Sequence, residues 1–310
     1  MNIIFGPIHS RRFGTSLGVD LSPSHKQCNF DCLYCELAPM ATVSKQSDVV
    51  SVDAVIAELK KHLHEKIDVI TLTANGEPTL YPYLDELIDA ISKIKGETQT
   101  LILTNSATLV DEKVFQSLLK LDQVKLSLDA VTPEIFKKID RPHHGIVIEP
   151  IAQRVIEFSR LYKGKLFMEV LFVKGLNDTK DEAAKLNELF LQLNATRIDL
   201  GTIDRPPAYP IEGISYEELY ELSLCFDAAL PIHIASRTKA MPTPANYDDE
   251  AILNTLDKRP LTLNDVDLLF NEPTQARLMA MLQAGVIIKK EVGNLEFFAP
   301  SSHAKRKKQK

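Results

Sequence analysis

The sequence predicts an α/β fold, a parallel sheet wrapped by helices, with a small helix-and-hairpin unit behind it. Three observations support this. Short β-rich runs alternate with helical apolar patterns from residue 16 to about residue 235, and the alternation stops at a proline-containing stretch. Three cysteines crowd the loop Cys28-Asn-Phe-Asp-Cys32-Leu-Tyr-Cys35 just after the first strand.

In chain order the predicted strands are Ser16 to Leu21, Asp68 to Ala74, Gln99 to Thr104, Gln123 to Asp129, Leu166 to Val173, Arg197 to Ile203 and a short Ile232 to Ala235. Helices lie between them. After a Ser51 cap, Val52, Val55, Ile56, Leu59 and Leu63 share one helical face, as do Leu186, Leu189, Phe190 and Leu193. About six strand-helix units in succession imply right-handed crossovers and a sheet that curves toward a barrel. Ligands of such sheets bind at the C-terminal strand ends, where this chain's unusual polar residues fall.

The chain divides into a core domain (residues 1–238), a linker (239–249) with two prolines and no periodicity, a winged-helix-like domain (250–302) and a basic tail (303–310) expected to be disordered. The third segment reads as a helix from Glu250, a helix start at Thr262 with Asp265 three residues on, and a break at Asn271-Glu-Pro273. A helix from Thr274 to Ala284 follows, ended by Gly285, and strands Val286 to Glu291 and Leu295 to Ala299 flank a Gly293-Asn294 turn.

The 310 residues are 45% hydrophobic, enough for a core without staples, and their net charge of −6 argues against a wholly basic nucleic-acid binder. Only four cysteines occur, three of them clustered, so the expectation is a reducing cytoplasm rather than a disulfide framework. No apolar run reaches membrane-spanning length, and neither secretion nor membrane insertion is expected.

The cysteine loop alone admits several readings. Thiolates at this spacing can hold three irons of a cubane iron-sulfur cluster, leaving the fourth iron open to a small molecule. They can also bind zinc with a distant fourth ligand, or be inert core thiols.

Cys28-x3-Cys32-x-Tyr34-Cys35 resembles the signature of the radical S-adenosylmethionine (radical SAM) enzymes, and later strand ends resemble the same family. Thr73-Ala-Asn-Gly-Glu-Pro-Thr79 is similar to the family's Gly-Gly-Glu segment, with Asn75 where a glycine is commonest. Leu103-Thr104-Asn105-Ser106 is similar to Thr-Asn-Gly, and Lys125-Leu-Ser-Leu-Asp-Ala130 to a Ser-Leu-Asp segment. Phe5 to Asp20, Lys174-Gly-Leu-Asn-Asp178 and Thr202-Ile-Asp-Arg-Pro-Pro207 resemble an uncharacterised iron-sulfur oxidoreductase subgroup related to wyosine-synthesis proteins. The resemblance covers about residues 5 to 235. Archaeal wyosine synthases carry a second, upstream cysteine cluster; no cysteine precedes Cys28, so their tRNA-ring activity is not carried over.

The resemblance implies a partial (β/α)6 TIM-like barrel in which Cys28, Cys32 and Cys35 ligate a [4Fe-4S] cluster. It implies reductive cleavage of S-adenosylmethionine to a 5'-deoxyadenosyl radical that takes hydrogen from a substrate, RNA modification being one form this takes. The implied cofactor contacts are Tyr34 near the adenine, Asn75, Gly76 and Glu77 at the methionine amino group, and Thr104, Asn105, Ser127 and Asp129. Implied partners are a reductant such as flavodoxin or ferredoxin, and tRNA or protein as substrate. The alternatives are a zinc-stabilised RNA- or protein-binding module without cofactor cleavage, and a cluster used only for electron transfer.

Arg11 and Arg12 are candidates for an anion near the cluster, Arg205 for an anionic substrate, and Arg141, His143 and His144 for substrate or the cofactor carboxylate, against ordinary surface roles. Glu169 and Asn177 are balanced between cofactor contact and ordinary hydrogen bonding, while Cys225 reads as a small buried hydrophobe. The helix from Thr274 carries one arginine and no lysine, so a nucleic-acid role rests on Lys289, Lys290 and the tail.

Overall fold

The computed structural model describes residues 3–10, 13–63, 66–234, 244, 246–258, 260–292 and 295–301. Arg11, Arg12, most of the linker, the Gly293-Asn294 turn and the basic tail lie outside the described residues. The first half runs β1 (Ile4–Ser10), β2 (Gly14–Asp20), α1 (Val52–Lys60), β3 (Val69–Thr73), α2 (Leu84–Ser92), β4 (Gln99–Thr104), α3 (Glu112–Leu118) and β5 (Gln123–Ser127). Then follow α4 (Pro133–Ile139), α5 (Ile148–Leu161), β6 (Lys165–Phe172), α6 (Lys180–Phe190), β7 (Arg197–Thr202), α7 (Tyr216–Ser223) and β8 (Ile232–Ile234).

Among the described residues these eight strands form one sheet in chain order, parallel from β2 to β8, with β1 antiparallel to β2. No pairing there joins β8 to β1, so the barrel is partial. Strand alternation explains the layering. Ile70, Leu72, Ile102, Val124, Leu126, Met168, Val170, Ile198 and Leu200 are buried in the main apolar core. Each such side chain contributes roughly 1.5–3 kcal/mol. The alternate positions are largely polar: Ser16 Oγ meets Thr71 Oγ1 at 2.7 Å, Lys125 Nζ meets Glu169 Oε2 at 2.5 Å, and Arg197 Nε meets Asp199 Oδ1 at 2.9 Å.

Local signals explain the helix ends. The Ser51 side chain accepts from Ala54 N, and Val55 and Leu59 turn into the core, while Leu63 lies in the turn beyond α1. Two features were not legible in the periodicity. β1 precedes the alternation, and two helices rather than one connect β5 to β6.

The C-terminal elements are α8 (Asp249–Lys258), β9 (Leu261–Thr262), α9 (Leu263–Leu269), α10 (Glu272–Gln283), β10 (Ile287–Val292) and β11 (Leu295–Pro300). Helix, strand, two helices and a hairpin, with strand order β10-β11-β9, give the winged-helix-like arrangement. Thr262 and Asp265 form a reciprocal capping box. Two helices start earlier than the sequence reading placed them. The Asp248 carboxylate accepts from Ala251 N at 2.8 Å and so starts α8 at Asp249, inside the expected linker. Asn271 caps α10, accepting from Thr274 N at 3.1 Å, so Pro273 sits in the first turn rather than in a break.

This unit has its own apolar core, including Ile252, Leu256, Val266, Phe270 and Leu278, which also takes in Ile8 of β1. Tyr247 Oη donates to Pro7 O at 2.7 Å, tying the unit to the edge strand. Replacing Tyr247 by phenylalanine is expected to cost about 1 kcal/mol, seen as a small drop in thermal midpoint. Among the described residues no helix is long and apolar enough to cross a membrane.

Candidate active site

The cysteine loop leaves β2 and crosses the C-terminal ends of the strands, where backbone hydrogen bonds from three distant segments hold it. Gln27 N donates to Asn75 O at 2.8 Å and Glu77 N donates back to Gln27 O at 3.0 Å. Leu33 N donates to Ile139 O at 2.9 Å, and His143 N to Asn29 O at 2.7 Å. Ala208 N donates to Cys35 O at 2.8 Å. The Gln27 side chain locks the entry, donating to Ser22 Oγ and Asp48 O and accepting from Ser47 N.

Gly76 makes the first clamp possible. Its φ is +128°, and a Cβ there would lie 2.0 Å from Gln27 O. The close approach that requires glycine is therefore between two backbone segments of the protein. Glu77 is likewise engaged internally. It is buried, with Oε1 accepting from Thr79 N (3.0 Å), Thr79 Oγ1 (2.6 Å) and Thr104 Oγ1 (2.6 Å), and Oε2 accepting from Asn105 N (2.8 Å). Burial pushes Glu77 above the usual carboxylate range despite these donors.

All three cysteines are free thiols. Burial pushes Cys28 up to about 12, with the Glu77 charge adding to it. Cys32 and Cys35 are raised as well, again by burial first. Buried thiolates need positive charge or donors nearby, and the loop supplies some. Phe30 N donates to Cys28 Sγ at 3.4 Å, and Asn105 Nδ2, which donates to Asn29 Oδ1 at 2.7 Å, lies 3.9 Å from that sulfur. Lys26, itself buried, is pulled down by burial but held above its ordinary value by Cys35, Cys28 and Asp31. Among the described residues, no three His, Cys, Asp or Glu side chains converge on a point where one metal ion would sit. Three free thiols on one short loop can each ligate one iron of a cubane cluster. The loop therefore fits an iron-sulfur cluster.

Beside the thiols is a crevice lined by Phe30, Tyr34, Asn105, Ser127, Asp129 and Asp140, among others. Tyr34 Oη donates to Asp129 Oδ2, joining two expected site residues that lie far apart in the chain. Asp129 Oδ1 accepts from Leu171 N at 2.7 Å. Cys32 Sγ donates to Asp140 Oδ1 at 3.4 Å. Burial, more than the neighbouring Asp129, pushes Asp140 well up. Burial also pushes Asp129 up to about 6, against the pull of Tyr34 and Leu171 N. A carboxyl raised in the folded state binds more protons there than in the unfolded chain, so stability falls as pH rises from about 4 through about 6. Asp129→Asn should remove that loss. The excess thermal midpoint of the variant over the cluster-free wild type should grow between pH 4 and 7; a constant difference would count against it.

Of the expected cofactor residues, Tyr34, Asn105, Ser127 and Asp129 line the crevice, while Asn75, Gly76, Glu77 and Thr104 build the wall that positions the loop. Arg205 pairs with Glu36 at 3.1 Å, beside the Cys35 end of the loop. Arg141 pairs with Asp31 at 3.3 Å, and Thr42 Oγ1 lies 3.0 Å from His143 Nδ1. These residues thus brace the cysteine loop. Asn177 is buried, accepting from Val173 N and donating to Asp129 O and Leu171 O, and Cys225 packs partly buried against the main core. Sequence reasoning missed Lys26, Gln27, Asp31 and Asp140. A cation two residues before the first cysteine was a usable signal for Lys26; nothing in the spacing marks Asp140.

The sequence profile of the Radical SAM superfamily matches residues 23–189. A UPF0026 protein of Helicobacter pylori strain J99 is 38% identical over 302 residues, covering 96% of this chain and 97% of that protein. A UPF0026 protein of Methanocaldococcus jannaschii is 32% identical over 215 residues, covering 67% of this chain and 65% of that one. Among solved structures, TYW1 with a lysine-pyruvate adduct bound is similar in fold, with a TM-score of 0.51 and 18% identity, over 71% of this chain and 76% of that one. The chain therefore belongs to the radical SAM superfamily, within the UPF0026 family, and is an enzyme whose cofactors are a [4Fe-4S] cluster and S-adenosylmethionine.

Proposed function

We propose that Cys28, Cys32 and Cys35 ligate three irons of the cluster and that the strand ends beside them, with Tyr34, Asn105, Ser127 and Asp129, receive S-adenosylmethionine. When bound, the pair supplies reductive cleavage of the sulfonium and a 5'-deoxyadenosyl radical that removes a hydrogen atom from the substrate. The observation that carries this reading is the loop of three raised, clamped thiols opening onto a crevice lined by Tyr34, Asn105, Ser127 and Asp129.

The protein's part is to bind, orient and exclude water. Asp129 and Ser127 offer acceptors to ribose hydroxyls, and Tyr34 provides a flat apolar surface for the adenine. Asn105 reaches toward both Cys28 and the crevice, and Glu77 Oε2 is the freer of its two oxygens for an ammonium. Phe30, Phe136, Ile148 and Ile151 supply the apolar part of the crevice's lining.

We read residues 250–302 as a separate winged-helix-like domain. Supporting this are its own apolar core and the contrast between relatives matching 96% and 67% of this chain. An RNA substrate draws no support from α10, because Arg277 donates to Tyr247 O at 2.6 Å, nor from Lys289, which pairs with Glu296 at 2.8 Å. A radical SAM enzyme needs an electron donor; a cytoplasmic flavodoxin or ferredoxin is the reading we adopt.

Anaerobic reconstitution tests the assignment. The expected result is a brown protein with about four irons per chain that releases 5'-deoxyadenosine on reduction by dithionite. Tight stoichiometric zinc with no cofactor cleavage would overturn it.

A further inference from the structure

We infer that the outer face of the cysteine loop is a docking surface for an acidic one-electron donor protein, with Ala38 to Ala41 at its centre and Lys45, Lys137 and Lys138 on its rim. The inference rests on the function proposed above and goes on to say where the donor binds.

The centre is an arch of chain. After Cys35 the backbone runs outward and returns to the loop where Val43 N donates to Cys28 O at 2.8 Å. Between these points Ala38, Pro39, Met40 and Ala41 are all exposed, and Met40 keeps 44% of its surface in solvent. Four consecutive exposed apolar residues over a cofactor loop have no use in the core, since none of them packs there. Their position has a use. Electron tunnelling falls off exponentially with distance, so a donor must seat close to the cysteine loop.

The rim comes from a different part of the chain. The end of α4 and the segment after it are zippered to the cysteine loop through Leu33 N to Ile139 O and His143 N to Asn29 O, and Thr42 lies against His143. Exposed Lys137 and Lys138 thus lie on the segment zippered to the loop, exposed Lys45 lies two residues beyond Val43, and none of the three has an ion pair among the described residues. Two nearby acids are neutralised, Glu36 by Arg205 and Asp31 by Arg141 and Lys26, while Asp48 lies 3.7 Å from His25, which offsets it only when protonated, and Glu134 sits at the far end of α4. On a chain of net charge −6, the segments that carry and brace the cofactor loop thus present three lysines with no ion pair among the described residues. An apolar centre with a basic rim is complementary to an acidic protein partner. The arch offers no aromatic residue on which a base would stack, which favours a protein over RNA.

In the step itself the donor's reduced cofactor loses one electron and the cluster gains it, with no bond made or broken. The test uses the reconstituted full chain and its Lys45→Glu, Lys137→Glu, Lys138→Glu triple variant, with reduced flavodoxin as the probe. Stopped-flow reduction of the cluster should be slowed about 10-fold or more in the variant at low ionic strength, with the gap closing at high salt. Reduction by dithionite and the resulting 5'-deoxyadenosine yield should be unchanged. Equal flavodoxin rates in the two proteins, or a wild-type rate that ignores salt, would overturn the inference. So would a variant that loses binding to total tRNA while its flavodoxin rate stays intact. A wild-type protein that cleaves no cofactor with dithionite would instead overturn the underlying function, a failure visible before any donor is added.

Discussion

Gly76→Ala is expected to destabilise the protein by roughly 3 kcal/mol or more and to prevent stable cluster loading. The added Cβ would meet Gln27 O at 2.0 Å and Cys28 N at 3.0 Å, both backbone atoms. Neither can withdraw without breaking the paired bonds between Gln27 and the Asn75–Glu77 segment, and the φ of +128° is itself costly for a residue with a side chain. Relief therefore requires moving the first cysteine away from the other two. Thermal unfolding of the cluster-free protein and iron content after reconstitution read the two effects separately. Wild-type values in both would refute the clamp.

The second large effect is expected from single alanine substitutions of Cys28, Cys32 or Cys35. Each should reduce iron from about four per chain to well under one and abolish 5'-deoxyadenosine formation, because two thiolates do not hold a cubane. Cys225→Ala is the matched control, since Cys225 packs against the main core and should leave iron content unchanged. The cluster-free cysteine variants should lose little in thermal midpoint, since Cys28 and Cys32 are only partly buried against the main core. A large drop in midpoint would show instead that the thiols serve packing.

Much of this architecture is visible in the residues themselves, and the reasons are local. β-rich runs such as Val69–Thr73 and Gln99–Thr104 lie between turns and helical patterns, and caps such as Ser51 and Thr262 act on amides three residues away. β1 escaped because Gly6-Pro7 interrupts its pattern and the pairing with β2 is irregular between Phe5 and Ile8. The crevice residues were legible because side chains on successive strand ends converge by topology. The clamps were not, because Gln27 to Asn75, Leu33 to Ile139 and Ala208 to Cys35 are backbone bonds whose distant partners no side chain announces, and a glycine such as Gly76 permits a close approach without naming what approaches. Glu77 shows the limit most clearly. An acid after a glycine at a strand end looks the same whether it faces a ligand or accepts from Thr79, Thr104 and Asn105.

The three clamps also carry a consequence for biosynthesis. The cysteines leave the ribosome early, but the segments that fix them emerge in turn at residues 75–77, at 139–143 and finally at Ala208. Until that last segment is out, the Cys35 end of the loop lacks its clamp. The loop's full set of clamps can therefore close only after the seventh strand has been translated.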